Sequence, residues 1–176
     1  MSSAIRCLLT NPGSLIFTGH AMRALDRIDL KILDALQRDG RLSMTELAER
    51  VNLSATPCSE RVRRLEREGV IMGYYARVNP AALGKNLLVF LEIKLSAKSG
   101  DVFEKVKKEL EYVPEVMECH LVSGDFDYLI KARLAEMNKY RQLLGEILKR
   151  MPASAESRSY IVMEEIKETL YLAIDR

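Results

Sequence analysis

The sequence predicts an α+β chain in two parts, a small helical unit followed by a mixed unit of strands and helices. Two observations carry that expectation. From Leu25 to Leu65, apolar residues recur at the three- and four-residue steps of helix faces. From Leu87 onward, runs rich in branched and aromatic residues alternate with helical stretches in the order strand, helix, strand, strand, helix, strand. The cations also change kind, which bears on function rather than fold: residues 1–79 hold eleven Arg and one Lys against nine acids, residues 80–176 five Arg and ten Lys against sixteen, and the planar fork of arginine suits phosphate and guanine edges. With 176 residues, 48% of them hydrophobic, the chain can bury more than one core.

In the first part, Leu25, Ile28, Ile32, Leu33 and Leu36 share one face of a helix that ends near Asp39-Gly40. Ser43-Met44-Thr45-Glu46 is a capping box that starts a short second helix, with Leu47, Ala48 and Val51 inward. Asn52 suits the left-handed residue of a tight turn into a third helix. Thr56 is the expected N-cap of that helix and Pro57 its first residue, with Ser54 a competing cap. Cys58, Val62 and Leu65 form the buried stripe, and Gly69 stops the helix, a rod of about 20 Å. Val70 to Val78 reads as extended, with Asn79-Pro80 and Gly84 punctuating a connection.

In the second part, Leu87 to Leu95 is a strand. Val102 to Tyr112 is a helix with Phe103, Val106 and Leu110 inward, closed by Pro114. Val116 to Ser123 and Phe126 to Leu134 form a hairpin around Gly124-Asp125. Glu136 to Arg150 is a helix with Met137, Tyr140, Leu144, Ile147 and Met151 on one stripe, closed by Pro152. Ser157 to Glu165 is the last core strand, and Thr169 to Ile174 adds an extended piece. The βαββαβ order predicts a ferredoxin-like sheet with both helices on one face. Leu88 and Phe90 opposite Val89 and Leu91 make β1 apolar on both sides, so a dimer partner is expected over the open face. The expected divisions are a disordered or partly ordered extension over 1–22, translated upstream of a natural start at Met22, a helix-turn-helix unit over 23–77, a linker over 78–86 and the ferredoxin-like unit over 87–176.

Several classes of function are disfavoured. Net charge is only +2, so the whole-chain balance argues for neither nucleic acid nor membrane, and no apolar run reaches the roughly 18 residues of a span. Cys7, Cys58 and Cys119 build neither a disulfide framework nor a zinc pattern, which fits a reducing cytoplasm. With His20 and His120 the only histidines, catalytic triads and histidine metal sites are nearly excluded; no cofactor and no metal are expected. Cys119-His120 invites a chemical reading, but neighbours on a strand point to opposite faces.

The third helix is different. Opposite its buried stripe lie Ser59, Glu60, Arg63, Arg64 and Arg67, with Ser54, Thr56 and Pro57 at the amino end. A helix amino terminus suits a phosphate, and guanidinium groups one turn on can reach base edges. The plainer alternative is a solvated amphipathic helix with Glu60 and Arg64 paired one turn apart. The capped helix and Asn turn before it favour double-stranded DNA.

The stretch from LDRIDLKILDALQRDG through SATPCSERVRRLEREGV, with ECHLVSGDFDYLIKARL and SYIVMEEIKE, resembles the Lrp/AsnC transcription regulators over about residues 25–170. Asn52 stands where that family commonly has glycine. The resemblance implies a winged helix-turn-helix unit and an effector domain that forms dimers and then octamers or similar rings. It also implies a small amino-acid effector, with leucine, methionine and alanine all admissible. Gly124, Asp125 and Asp127 match the family's G-D-x-D loop, and Leu121, Met137, Tyr160, Ile161 and Val162 match positions tied to leucine response. An α-amino acid needs acceptors, donors and an apolar hollow; Asp125 or Asp127, hairpin N–H groups, and Leu121, Met137 and Ile161 offer these. The plainer alternative is a simple turn and a core methionine. Two other functions remain open: an architectural DNA-binding protein without effector, and a tetrapyrrole-processing enzyme of the same architecture.

Overall fold

The structure, a computed structural model, describes residues 24–151 and 154–174. The expected extension over 1–22, the start at Met22, Cys7, His20 and the stop at Pro152 lie outside these residues. By its contacts the chain divides into two units. One runs to Arg77 and resumes at Lys167; the other is Val78–Ile166. The expected division had placed residues 167–176 in the second unit.

The first unit holds three helices, α1 (Arg27–Arg38), α2 (Met44–Val51) and α3 (Ala55–Arg67). Asp26 caps α1, and Asp29 answers it in a second capping box. The Ser43–Glu46 box starts α2 as expected, and Asn52 ends it with φ of 58°. Of the two expected caps of α3 the competing one, Ser54, holds the cap position, without a side-chain capping bond, and Pro57 is the third helical residue rather than the first. Proline is tolerated there because the first intrahelical bond of α3 is donated by the next N–H, Cys58 to Ser54. At the far end Gly69 takes φ of +72°, and the Gly69 and Val70 amides bond back to Glu66 and Leu65, closing a Schellman motif. Ile32, Leu47, Val51, Cys58, Val62 and Leu65 form the core. The extended stretch after Val70 joins no strand, so no wing is paired among the described residues.

The second unit is the expected βαββαβ: β1 (Leu87–Leu95), α4 (Gly100–Glu111), β2 (Val116–Leu121), β3 (Tyr128–Leu134), α5 (Met137–Arg150) and β4 (Ala155–Ile161). All pairings are antiparallel and the strand order is β2-β3-β1-β4. Val89, Leu91, Ile93 and Leu95 alternate toward α4 and α5, where they meet Val106, Leu110, Tyr140, Leu143 and Ile147. On α5 the buried residue is Leu143 where Leu144 was expected, and Met137 is exposed. β4 stops four residues short of Glu165, and Thr169–Ile174 forms no strand.

The opposite face of the sheet is mixed rather than apolar throughout. Register puts Leu88, Phe90, Glu92 and Lys94 of β1 there beside Leu129, Lys131 and Arg133 of β3. Lys131 pairs with Glu118 at 3.0 Å and Arg133 with Glu165 at 2.6 Å. Among the described residues, no helix is long and apolar enough to cross a membrane.

Candidate nucleic-acid interface and effector loop

In the first unit, α3 turns one stripe outward. Thr56, Glu60, Arg63 and Arg67 are exposed, as is Ser54 before them; Pro57 and Ser59 are half-buried on its flanks. Met44 at the start of α2 joins Ala55, Thr56, Ser59, Glu60 and Arg63 around a shallow hollow. The αL turn at Asn52 brings the two helix starts together in this way.

Arg64 departs from the expected set. Its side chain is 16% exposed, and its Nη2 lies 2.5 Å from Asp29 Oδ2 on α1. Arg61, which the sequence reading left out, sits beside it: one Nη1 reaches Asp26 Oδ2 at 2.6 Å and Asp29 Oδ1 at 2.7 Å. Neither arginine therefore belongs to the outer stripe, and the pairing of Glu60 with Arg64 is replaced by one across helices. Asp29 is fully buried. Burial raises its pKa, but Arg61, the Asp26 amide and Arg64 together outweigh it and hold the carboxyl below its usual range. Asp26 is lowered too, first by the Asp29 amide and then by Arg61. The D-x-x-D spacing before an apolar run signals the capping box; it carries no sign of Arg61 and Arg64, 32 to 35 residues away.

In the second unit, β2 ends at Leu121 and β3 begins at Tyr128, so a loop over 122–127 replaces the tight turn expected at Gly124-Asp125. The Val122 amide donates to the Asp127 carbonyl at 2.9 Å, closing that loop, and Gly124 takes φ of +141°. Asp125 is exposed at its tip. Asp127 is buried and already occupied: Oδ2 accepts from the Leu95 amide and Oδ1 pairs with Lys98, each at 2.8 Å. Burial pulls the Asp127 carboxyl upward, and Lys98 and the Leu95 amide hold it below the usual range nonetheless.

Of the remaining expected residues, Met137 begins α5 and the others divide between the sheet's two edges. Leu121 closes β2 at one edge, whereas Tyr160 and Ile161 end β4 at the other, with β3 and β1 between them, about 14 Å of sheet. Tyr160 pairs with Phe90 and Ile161 with Val89, so these neighbours point to opposite faces. Val162 follows, its amide bonded to the Leu88 carbonyl at 3.0 Å. Leu121, Met137, Tyr160 and Ile161 are all exposed. His120 meets Glu118 at 3.3 Å, and Cys119 lies on the alternate face, so the two do not converge.

Comparison with known proteins covers both units. Residues 25–72 match the winged helix-turn-helix DNA-binding family, and residues 88–172 the Lrp/AsnC ligand binding domain. The leucine-responsive regulatory proteins of Escherichia coli K12 and Klebsiella pneumoniae are each 55% identical over 150 residues, spanning 85% of this chain and 92% of theirs. Among solved structures, a transcriptional regulator from Neisseria meningitidis in complex with L-Met aligns with a TM-score of 0.79 at 34% identity, over 85% of this chain and 97% of that one. A feast or famine regulatory protein from M. tuberculosis, complexed with L-methionine, aligns at 0.77 and 34%, over 85% and 99%. With its helix-turn-helix ahead of a βαββαβ ligand-binding domain, the chain belongs to the Lrp/AsnC family of effector-modulated, DNA-binding transcription regulators.

Proposed function

We propose that this regulator reads its operator with the outer stripe of α3 and responds to a small apolar amino acid bound between two copies of the chain. The single observation that carries the operator reading is the exposure of Thr56, Glu60, Arg63 and Arg67 on a helix whose other sides are packed or braced. Ser54 and Thr56 at the helix start suit a phosphate, and Arg63 and Arg67 suit guanine edges or the far backbone. Pro57 and Ser59 shape the flanks of this surface. A two-fold dimer would set half-sites one helical turn, or a multiple, apart.

The effector reading rests on the strand order. Leu121 and the Tyr160-Ile161-Val162 run occupy opposite edges, so a pocket using both takes its walls from different chains. Asp125, exposed beside Gly124, supplies an acceptor for the ammonium; Asp127 shapes the loop, since both its oxygens are engaged. Leu121, Met137 and Ile161 offer apolar surface for a side chain such as that of leucine, methionine or alanine. Relatives named leucine-responsive and neighbours holding L-methionine support this class. Assembly beyond the dimer, to an octamer or similar ring, follows if each pocket joins two dimers. The protein acts in the cytoplasm on genes of amino-acid metabolism and is no enzyme.

Footprinting on the protein's own promoter with and without leucine, joined to calorimetry with a panel of amino acids, tests the reading. A footprint altered by one of them, together with measurable binding heat, supports it. A footprint with no heat from any amino acid favours an architectural DNA-binding protein.

A further inference from the structure

We propose that Asp29 is a positioning residue for operator recognition: through Arg61 and Arg64 it fixes the roll of α3, and so decides which α3 side chains meet DNA. The inference rests on the operator reading above and assigns a role to residues that lie off the outer stripe. One buried carboxylate receives two guanidinium groups from α3, Arg61 at 2.7 Å on Oδ1 and Arg64 at 2.5 Å on Oδ2. Oδ2 also accepts from the Asp26 amide at 3.2 Å, which ties the acid to the first turn of α1. Arg61 reaches Asp26 as well, at 2.6 Å. The helix is thus held at two points three residues apart, on one flank.

The apolar contacts of α3 favour this orientation less sharply than directional bonds do. Cys58, Val62 and Leu65 bury area, and that attraction is non-directional. A roll of about 20° moves atoms at the helix surface, roughly 5–6 Å from its axis, by about 2 Å. Such a shift exceeds the tolerance of a hydrogen bond to a base edge. Charge-assisted bonds to a fixed carboxylate are directional and resist it. Buried ion clusters add little net stability compared with apolar packing, so fixing geometry is the role this one is suited to. Arg64 carries a sign of that trade: its buried Nε finds no hydrogen-bond partner while Nη2 is drawn to Asp29.

The test uses the full-length protein with Asp29→Asn, Arg64→Met, their combination, and Arg64→Lys. Affinities for an operator duplex and a random duplex are measured by anisotropy across a salt series, with circular dichroism to follow folding. Asp29→Asn and Arg64→Met should each lower operator affinity about tenfold or more, with a much smaller change on random DNA, as expected when base readout rather than phosphate contact is lost. The salt slope should stay constant, the double variant should be no worse than the worse single one, and Arg64→Lys should recover part of the discrimination. If Arg64→Met instead flattens the salt slope by about 0.9 and weakens both duplexes alike, Arg64 is a phosphate contact and the proposal is overturned. An unchanged operator-to-random ratio overturns it equally. If Asp29→Asn melts below the assay temperature, the Arg64→Met and Arg64→Lys pair decides by the same two readings. Failure of the operator reading itself is distinct: the unmodified protein would then fail to prefer the operator.

Discussion

At the scale of single residues, three side chains have roles that their surroundings define. Asn52 holds a left-handed turn at φ of 58° between α2 and α3. Asn52→Ala should therefore cost about 1–2 kcal/mol in urea unfolding, whereas Asn52→Gly should be nearly neutral. Arg63 lies fully on the outer stripe, one residue from the braced Arg64. Arg63→Ala should lower operator affinity by about 1–3 kcal/mol and relax sequence preference, measured by shift assay at fixed salt; unchanged affinity would remove it from the interface. Asp127 satisfies the buried Leu95 amide. Its replacement by Ala should destabilise the second unit by about 1–3 kcal/mol, the cost of leaving that donor unpaired, even with no effector present.

At the scale of elements, the junction of α1 and α3 is the acid-sensitive one. Asp26 and Asp29 both titrate below the ordinary value of 3.8 in the folded chain. Depressed carboxyl pKa values stabilise the fold above the unfolded value, and that contribution is lost as pH falls through the folded ones. Amide-exchange protection of α1 and α3 should thus be flat from neutral pH down to about 5 and fall below about 4. Asp29→Asn should blunt that fall. In the second unit, α5 holds the sheet through Tyr140, Leu143 and Ile147, and the Tyr140 hydroxyl meets Ser159 Oγ on β4. Ile147→Ala should cost about 2–5 kcal/mol by opening a cavity in that layer.

At the scale of the whole chain, the last described residues return to the first unit. The Tyr171 hydroxyl donates to Asp34 at 2.6 Å and its ring lies 4.8 Å beneath the Arg38 guanidinium. Gln37 exchanges two hydrogen bonds with the Leu172 backbone, and Arg77 pairs with Glu168. Ending the chain at Ile166 should expose this side of α1 and speed amide exchange there, with α2 changed less. Thr169–Ile174 was expected only as an extended piece, because its sequence holds no mark of what it would meet.

What the sequence determined by itself is what operates within a few residues. The Ser43–Glu46 box, the turn at Asn52, the stop at Gly69 and the periodicities of α1, α2, α3, β1 and β3 are local, so their residues announce them. The boundary differences at α3 and at the 122–127 loop are local too, arising where two caps or two turn lengths compete, whereas the limits of β4 are set by its pairing with β1. Tertiary structure decided which polar groups are spent internally: Arg64 on Asp29, Asp127 on Lys98 and the Leu95 amide, Tyr171 on α1. It also decided that Leu121 and Tyr160 sit on opposite edges of one sheet. These partners lie tens of residues apart or more, and only packing sets the distance and burial that turn a compatible pair into a bond.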